Sequence, residues 1–184
     1  MTTSVATDLN GTYALDPTHT RLGFTARHAM VTKVRGQFDT FGGTAQLDFT
    51  NPANSTVAMS FEIASITTGQ AQRDEHLRTN DFFDAPTFPK GTFVSTSVSE
   101  LDDDTFELTG DLNLKNVTNP VTITWKHTGT ARDPFGNFRA GFEGRATINR
   151  KDWGISYNAA LETGGVLISE KINLEFDISA IKSA

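Results

Sequence analysis

Four polar side chains carry the chemistry this chain could perform: His28, Arg73, Asp74 and His76. In the run from Arg21 to Met30, His28 shares its parity with Leu22, Phe24, Ala26 and Met30, so alternation puts an imidazole on the apolar face of a strand. There it can donate to a polar ligand head or serve as a general base, or it can be a core histidine satisfied by a backbone carbonyl. Arg73, Asp74 and His76 lie in TTGQAQRDEHLRTNDFFDAPTFP, residues 67–89, where charges and aromatics crowd together between proline stops. An Arg fork beside an apolar mouth suits a phosphate or carbonyl head group, because it donates two parallel hydrogen bonds. The plain alternative for Asp74 is an i, i+4 surface ion pair with Arg78, worth well under about 1 kcal/mol.

The elements that must position these groups read mostly as strands. Apolar residues alternate through Leu22–Met30, Ala45–Phe49, Val57–Ile63, Phe106–Leu114, Val121–Trp125, Phe138–Ile148 and Ile172–Ile178. Asn51-Pro52, the Asp102–Asp104 run, Asn119-Pro120 and DPFGN at 133–137 punctuate them as turns. The expected fold is all-β, an eight-stranded antiparallel barrel with a short helical insertion around residues 69–84, and a sandwich is the runner-up. Residues 69–78 lack β-branched side chains and favour the helix, with Asn80 or Asp81 free to cap a further turn at Phe82. A barrel of this size is either filled by its own side chains or holds one small ligand, and alternation leaves both open. Gly36, Ala45, Gly110 and the small residues of 138–148 leave room inside, which interleaving Phe side chains could use up.

Composition excludes several classes. A chain of 184 residues is long enough for one core, expected over residues 12–184 behind a flexible stretch at 1–11. A net charge of -6 without any basic run argues against nucleic acid as a partner. The absence of cysteine removes disulfides, thiolate nucleophiles and Cys-based metal sites. No cofactor or metal is expected: His19, His28, His76 and His127 lack metal-ligand spacing, and a turn after Trp125 is expected to leave His127 exposed. No G-x-S-x-G elbow or P-loop lysine appears. MTTSVATDLNG shows neither a secretory signal nor an Arg-rich transit peptide, and no run is long enough to span a membrane, so a cytoplasmic location is expected.

YALDPTHTRLGFTARHAM followed by VRGQFDTFGG resembles the opening of the YceI-like family, the polyisoprenoid-binding, lipocalin-like proteins. SITTGQAQRDEHLRTNDFFDAPTFP, LNLKNVTNPV and NRKDWGI follow in the family's order, and the resemblance covers about residues 12–179. Tyr13 stands where the family commonly has Trp, and Asn116 where a Gly usually follows the strand; Asn tolerates a left-handed turn. The resemblance implies a barrel with a long apolar pocket that binds an isoprenoid chain or isoprenoid quinone, with transport, storage or sequestration as its use. It puts His28, Arg73, Asp74 and His76 at the ligand head. Candidate pocket walls are Phe24, Met30, Phe38, Leu112, Trp125 and Phe142, with Leu77, Phe82, Phe83 and Phe88 closing from the insertion and Trp153 as a plug. Two other readings stay open: an enzyme on a hydrophobic substrate using His28 as base and Arg73 as electrostatic stabiliser, and a filled barrel acting through its surface as a homodimer.

Overall fold

The computed structural model describes residues 9–158, 161 and 167–183; residues 1–8 of the stretch expected to be flexible lie outside them. Among the described residues eleven strands form one sheet: β1 Gly11–Leu15, β2 Arg21–His28, β3 Thr32–Phe38, β4 Phe41–Leu47, β5 Thr56–Glu62, β6 Ile66–Thr67, β7 Lys90–Glu100, β8 Thr105–Leu114, β9 Val117–Arg132, β10 Phe138–Asn149 and β11 Lys171–Lys182. The pairings reduce them to eight. Both β1 and β2 lie antiparallel on β11, at Ala180–Lys182 and Asn173–Asp177, so they are two halves of one bent strand. β3 and β4 pair with β2 and β1 in turn, and β6 and β5 pair with β3 and β4. The chain is therefore an up-and-down meander that closes where β1 meets β11, the closed eight-stranded antiparallel barrel expected from alternation.

The helix α1, Ala71–Arg78, lies within the expected insertion. β7 escaped the alternation pattern for a local reason. Its register shifts between Ser95 and Ser97, so the buried positions run Gly91, Phe93, then Val98, and a parity count breaks midway.

Inward glycines do not simply leave space. Phe24 lies over Gly36, Phe61 over Gly91, Phe93 over Gly110 and Trp125 over Gly144; a Cβ on any of these glycines would sit 2.2–2.5 Å from the ring. Three of the four are direct cross-strand partners. Each ring can lie flat against the wall because its neighbour has no side chain, and the lumen stays open.

The β8–β9 hairpin turns through Lys115 and Asn116 at φ 52° and 61°, so Asn116 does occupy the left-handed conformation that Gly usually supplies. At the kink between β1 and β2, Asp16 is buried and meets Arg139, which also bonds Asp133 at 2.8 Å; His19 bonds Asp16 at 2.7 Å. This network ties the kink to β10 and the turn after β9.

Candidate lipid-binding cavity

The barrel encloses a cavity of about 350 Å³. Its apolar walls come from every long strand, including Phe24, Phe38, Met59, Phe93, Leu112 and Phe176. At the end that carries the insertion, the lining residues Phe82, Trp153 and Ile155 are buried, and Leu77 and Phe83 are half-buried. Trp153 donates its Nε1 proton to the Leu112 carbonyl at 2.8 Å, which fixes the plug across the strand ends. Arg150 is buried beside it and donates to the carbonyls of Ile155 (2.7 Å), Ser169 (2.9 Å) and Ile168 (3.4 Å), stitching the segment after β10 to the approach to β11. Burial holds its guanidinium below the usual arginine value, with Glu170 pulling the other way.

The opposite end is different. Among the described residues the exposed members of the lining are Glu100, Asp102, Asp103 and Asp104, all on or beside the β7–β8 turn. The cavity thus opens at the end away from the insertion, through an acidic rim. Asp48 lines the same end, its carboxyl lowered to about 2 by the Thr50 hydroxyl and the Asn51 backbone; the Asp104 backbone amide, donating at 3.3 Å, lowers that of Asp102.

This geometry redistributes the residues singled out in the sequence. Phe24, Phe38, Leu77, Phe82, Phe83, Leu112, Trp125, Phe142 and Trp153 line the cavity, whereas Met30 and Phe88 do not. None of His28, Arg73, Asp74 and His76 lines it either. Alternation on β2 stops at His28, because Ala29 and Met30 take φ of 51° and 63° and reverse the chain; His28 is exposed and Met30 is 60% exposed. No Gly or Asn marks that turn.

Arg73 and Asp74 converge on Thr68 instead. Asp74 is buried and accepts from the Thr68 amide at 2.9 Å and from its hydroxyl, while Arg73 donates to the same hydroxyl and to the Thr68 carbonyl, both at 2.7 Å. The expected Asp74–Arg78 pair does not form, since Arg78 bonds the carbonyls of Ala64 (2.9 Å) and Ile66 (3.1 Å). His76 is exposed, pairs with Asp81 at 2.8 Å and sets its ring edge-on against Phe82 and Tyr157. Arg78 thus ties the insertion to β6 and the turn before it, Arg73 and Asp74 tie the helix to Thr68 just after β6, and His76 pairs within the insertion.

His127 is the residue that sequence reading misplaced. β9 runs on to Arg132 without a turn after Trp125, so the parity of Val121, Ile123 and Trp125 continues to His127, which lines the cavity between Phe49 and Phe142, its ring centroid 5.2 and 5.1 Å from theirs. Burial pushes its imidazole below the ordinary value, while the Gly129 backbone and Asp104 pull it up. Extending the parity by one step would have found it. Among the described residues no cluster of three or more His, Asp or Glu could hold a metal ion.

A closed antiparallel barrel with a helical insertion and an apolar interior is what the resemblance implies, and the family model of the YceI-like domain matches residues 13–180. The chain belongs to the YceI-like family. Relatives in it include a UPF0312 protein of Ectopseudomonas mendocina (strain ymp), 38% identical over 161 residues, 85% of this chain and 84% of the relative. Another, from Staphylococcus aureus (strain MSSA476), is 36% identical over 89% of this chain and 93% of the relative. The crystal structure of the Campylobacter jejuni YceI protein superposes with a TM-score of 0.74 at 25% identity, covering 86% and 90% of the two chains. A polyisoprenoid-binding domain from Saccharophagus degradans shares the fold, with a TM-score of 0.71 at 16% identity over 93% and 98%. No helix among the described residues of this YceI-like chain is long and apolar enough to cross a membrane.

Proposed function

We propose that this protein holds an isoprenoid lipid inside the barrel and acts by sequestering, storing or carrying it, without catalysing a reaction. The observation that carries the reading is the apolar cavity of about 350 Å³ that ends at Trp153 and opens at the β7–β8 turn. Its volume lies toward the lower end of the roughly 300–1,000 Å³ typical of small-molecule sites. The cavity therefore takes a short isoprenoid or the first units of a long one, with the remainder leaving through the mouth. Burial at about 0.8 kcal/mol per carbon would exceed the practical limit of affinity for a forty-carbon chain, roughly 18–21 kcal/mol, so ordering the chain offsets much of the gain. The shared fold of the Saccharophagus degradans domain supports the reading by analogy.

The enzymatic reading loses its base, since His28 is exposed and outside the cavity lining. A cytoplasmic site and a homodimer belong to the proposal as well, and cell fractionation and light scattering check them. The deciding experiment is organic extraction of the folded protein followed by mass spectrometry. A stoichiometric isoprenoid is expected; a lipid-free protein whose Trp125 emission no isoprenoid changes would end the reading.

A further inference from the structure

The tip of the β2–β3 hairpin plays no part in the cavity. There the Val31 amide bonds the His28 carbonyl at 3.1 Å, and Ala29 and Met30 between them take the left-handed conformation. Asn-Gly makes a two-residue turn of this kind at least cost. This turn carries Met30 and Val31 instead, 60% and 75% exposed. Two adjacent apolar side chains in water are unfavourably hydrated unless something covers them.

The strands below the tip carry charge of one sign. From Arg21 to Gln37 the sequence holds Arg21, Arg27, Lys33 and Arg35 and no acid, in a chain of net charge -6. Arg27 pairs directly with Lys33, and Arg35 with Thr25, on the parity opposite to the cavity-lining Phe24 and Ala26, so these three cations share the outer face. Ser169 Oγ accepts from the Arg27 amide at 2.9 Å and donates to the Lys171 carbonyl at 3.0 Å, which brings Lys171 alongside. Arg27, Lys33, Arg35 and Lys171 are all exposed, and none forms an ion pair among the described residues. Glu170, the acid next to Lys171 in the chain, is engaged by Lys151 at 2.7 Å. Like charges directly opposite on paired strands are destabilising, and Arg27 and Lys33 carry that cost without a carboxylate to offset it.

The tip stands at the insertion end of the barrel. The Ala29 amide bonds the Leu167 carbonyl at 2.7 Å, and Ser169, whose carbonyl accepts from Arg150 beside the Trp153 plug, donates its amide to the Arg27 carbonyl at 3.0 Å. The mouth has the reverse charge, with Glu100, Asp102, Asp103 and Asp104 on its rim. Leu101 and Phe135 are exposed at that end, but Leu101 lies between Glu100 and Asp102, and Phe135 follows Asp133 in the turn after β9. A negatively charged surface repels the mouth and attracts the opposite end.

We propose that the β2–β3 tip docks the protein on an anionic lipid bilayer, with Met30 and Val31 entering the headgroup boundary and Arg27, Lys33, Arg35 and Lys171 meeting lipid phosphates. The mouth then faces away from that bilayer. Nucleic acid also presents phosphates, but it offers no apolar layer to Met30 and Val31. The docking goes beyond the isoprenoid reading and stands apart from it, because it requires nothing in the cavity.

Sedimentation of the full chain with phosphatidylcholine vesicles, with and without about one-third phosphatidylglycerol, tests this. Binding is expected only with phosphatidylglycerol and weakens as salt rises. Arg27→Gln and Lys33→Gln should each weaken it about fivefold, and Met30→Ser about tenfold, while Phe135→Ser binds as the wild type does. These positions are exposed, and urea midpoints check that each variant is folded. The chain has no cysteine, so Met30→Cys and Phe135→Cys each take a single environment-sensitive nitrobenzoxadiazole label. The label at position 30 should shift to the blue on phosphatidylglycerol vesicles and the label at position 135 should not. No sedimentation, equal binding to both vesicles, a shift at position 135 instead, or duplex DNA bound as tightly as the vesicles would each overturn the docking proposal. Whether organic extraction yields an isoprenoid is decided separately, so the two readings can fail one without the other.

Discussion

Gly144 lies between two aromatics on one rung of the barrel, paired with Trp125 on β9 and with Phe176 on β11, whose rings stack with centroids 5.6 Å apart at 24°. A Cβ at Gly144 would fall 2.5 Å from Trp125 Cε3 and Cζ3 and 2.7 Å from Cη2. Carbon contacts settle near 3.5–4.0 Å, so Gly144→Ala must drive the indole about 1 Å off the wall, and the stack with Phe176 hinders sliding along it. Overpacking of this kind costs about 1–3 kcal/mol, offset by about 0.5–1 kcal/mol from replacing a strand glycine. The expected net loss is about 0.5–2 kcal/mol in urea unfolding, with a change in tryptophan emission as the ring enters the lumen. A double-mutant cycle isolates the cause. In a Trp125→Leu background the obstacle is gone, and Gly144→Ala should become neutral or slightly stabilising. If Gly144→Ala is harmless beside Trp125, or equally harmful without it, the account of glycines as seats for wall-lying aromatics is wrong.

The Asp16–Arg139–Asp133 network predicts an acid-labile fold. Burial alone would raise the Asp16 carboxyl, but Arg139, His19 and Thr18 together hold it well below the usual 3.8; Asp133 is likewise brought to about 2, burial opposed chiefly by Arg139. Both folded-state values are depressed, so their stabilisation is complete above about pH 4 and is lost as pH falls toward 2. Urea midpoints should drop over that window in the wild type and less in an Asp16→Asn variant; parallel drops would contradict the network's role. Thr68→Val removes the hydroxyl shared by Asp74 and Arg73 and leaves the buried carboxylate one donor short, at a cost of about 1–3 kcal/mol. Hydrogen exchange should accelerate first in α1, and unchanged protection of residues 71–78 would show that the knot is not what holds the insertion.

Much of the barrel was legible because a strand's side-chain period is two and the wall separates an apolar lumen from water. Positions such as Leu22, Phe24, Ile123 and Phe176 announce their face whatever the topology. β7 hid because one bulged residue shifts its parity between Phe93 and Val98. His28 misled because the pattern ran on through Ala29 and Met30, which enter the left-handed region without the glycine or asparagine that normally signals it.

The class of fold, most of the cavity wall and the family were all present in the linear chain. Each follows from local periodicity or from ordered motifs, which need no knowledge of distant partners. Which end of the barrel opens was not. The charge clusters at Arg73–His76 and at Asp102–Asp104 look equally available in a linear chain, and their roles separate only once the strands close. Thr68, the residue after β6, absorbs Arg73 and Asp74 of the first cluster, while the second is left at the lumen's rim beside His127. Hydrogen bonds and desolvation act through space, and a polar residue is free for a ligand only if folding has not already given it a partner.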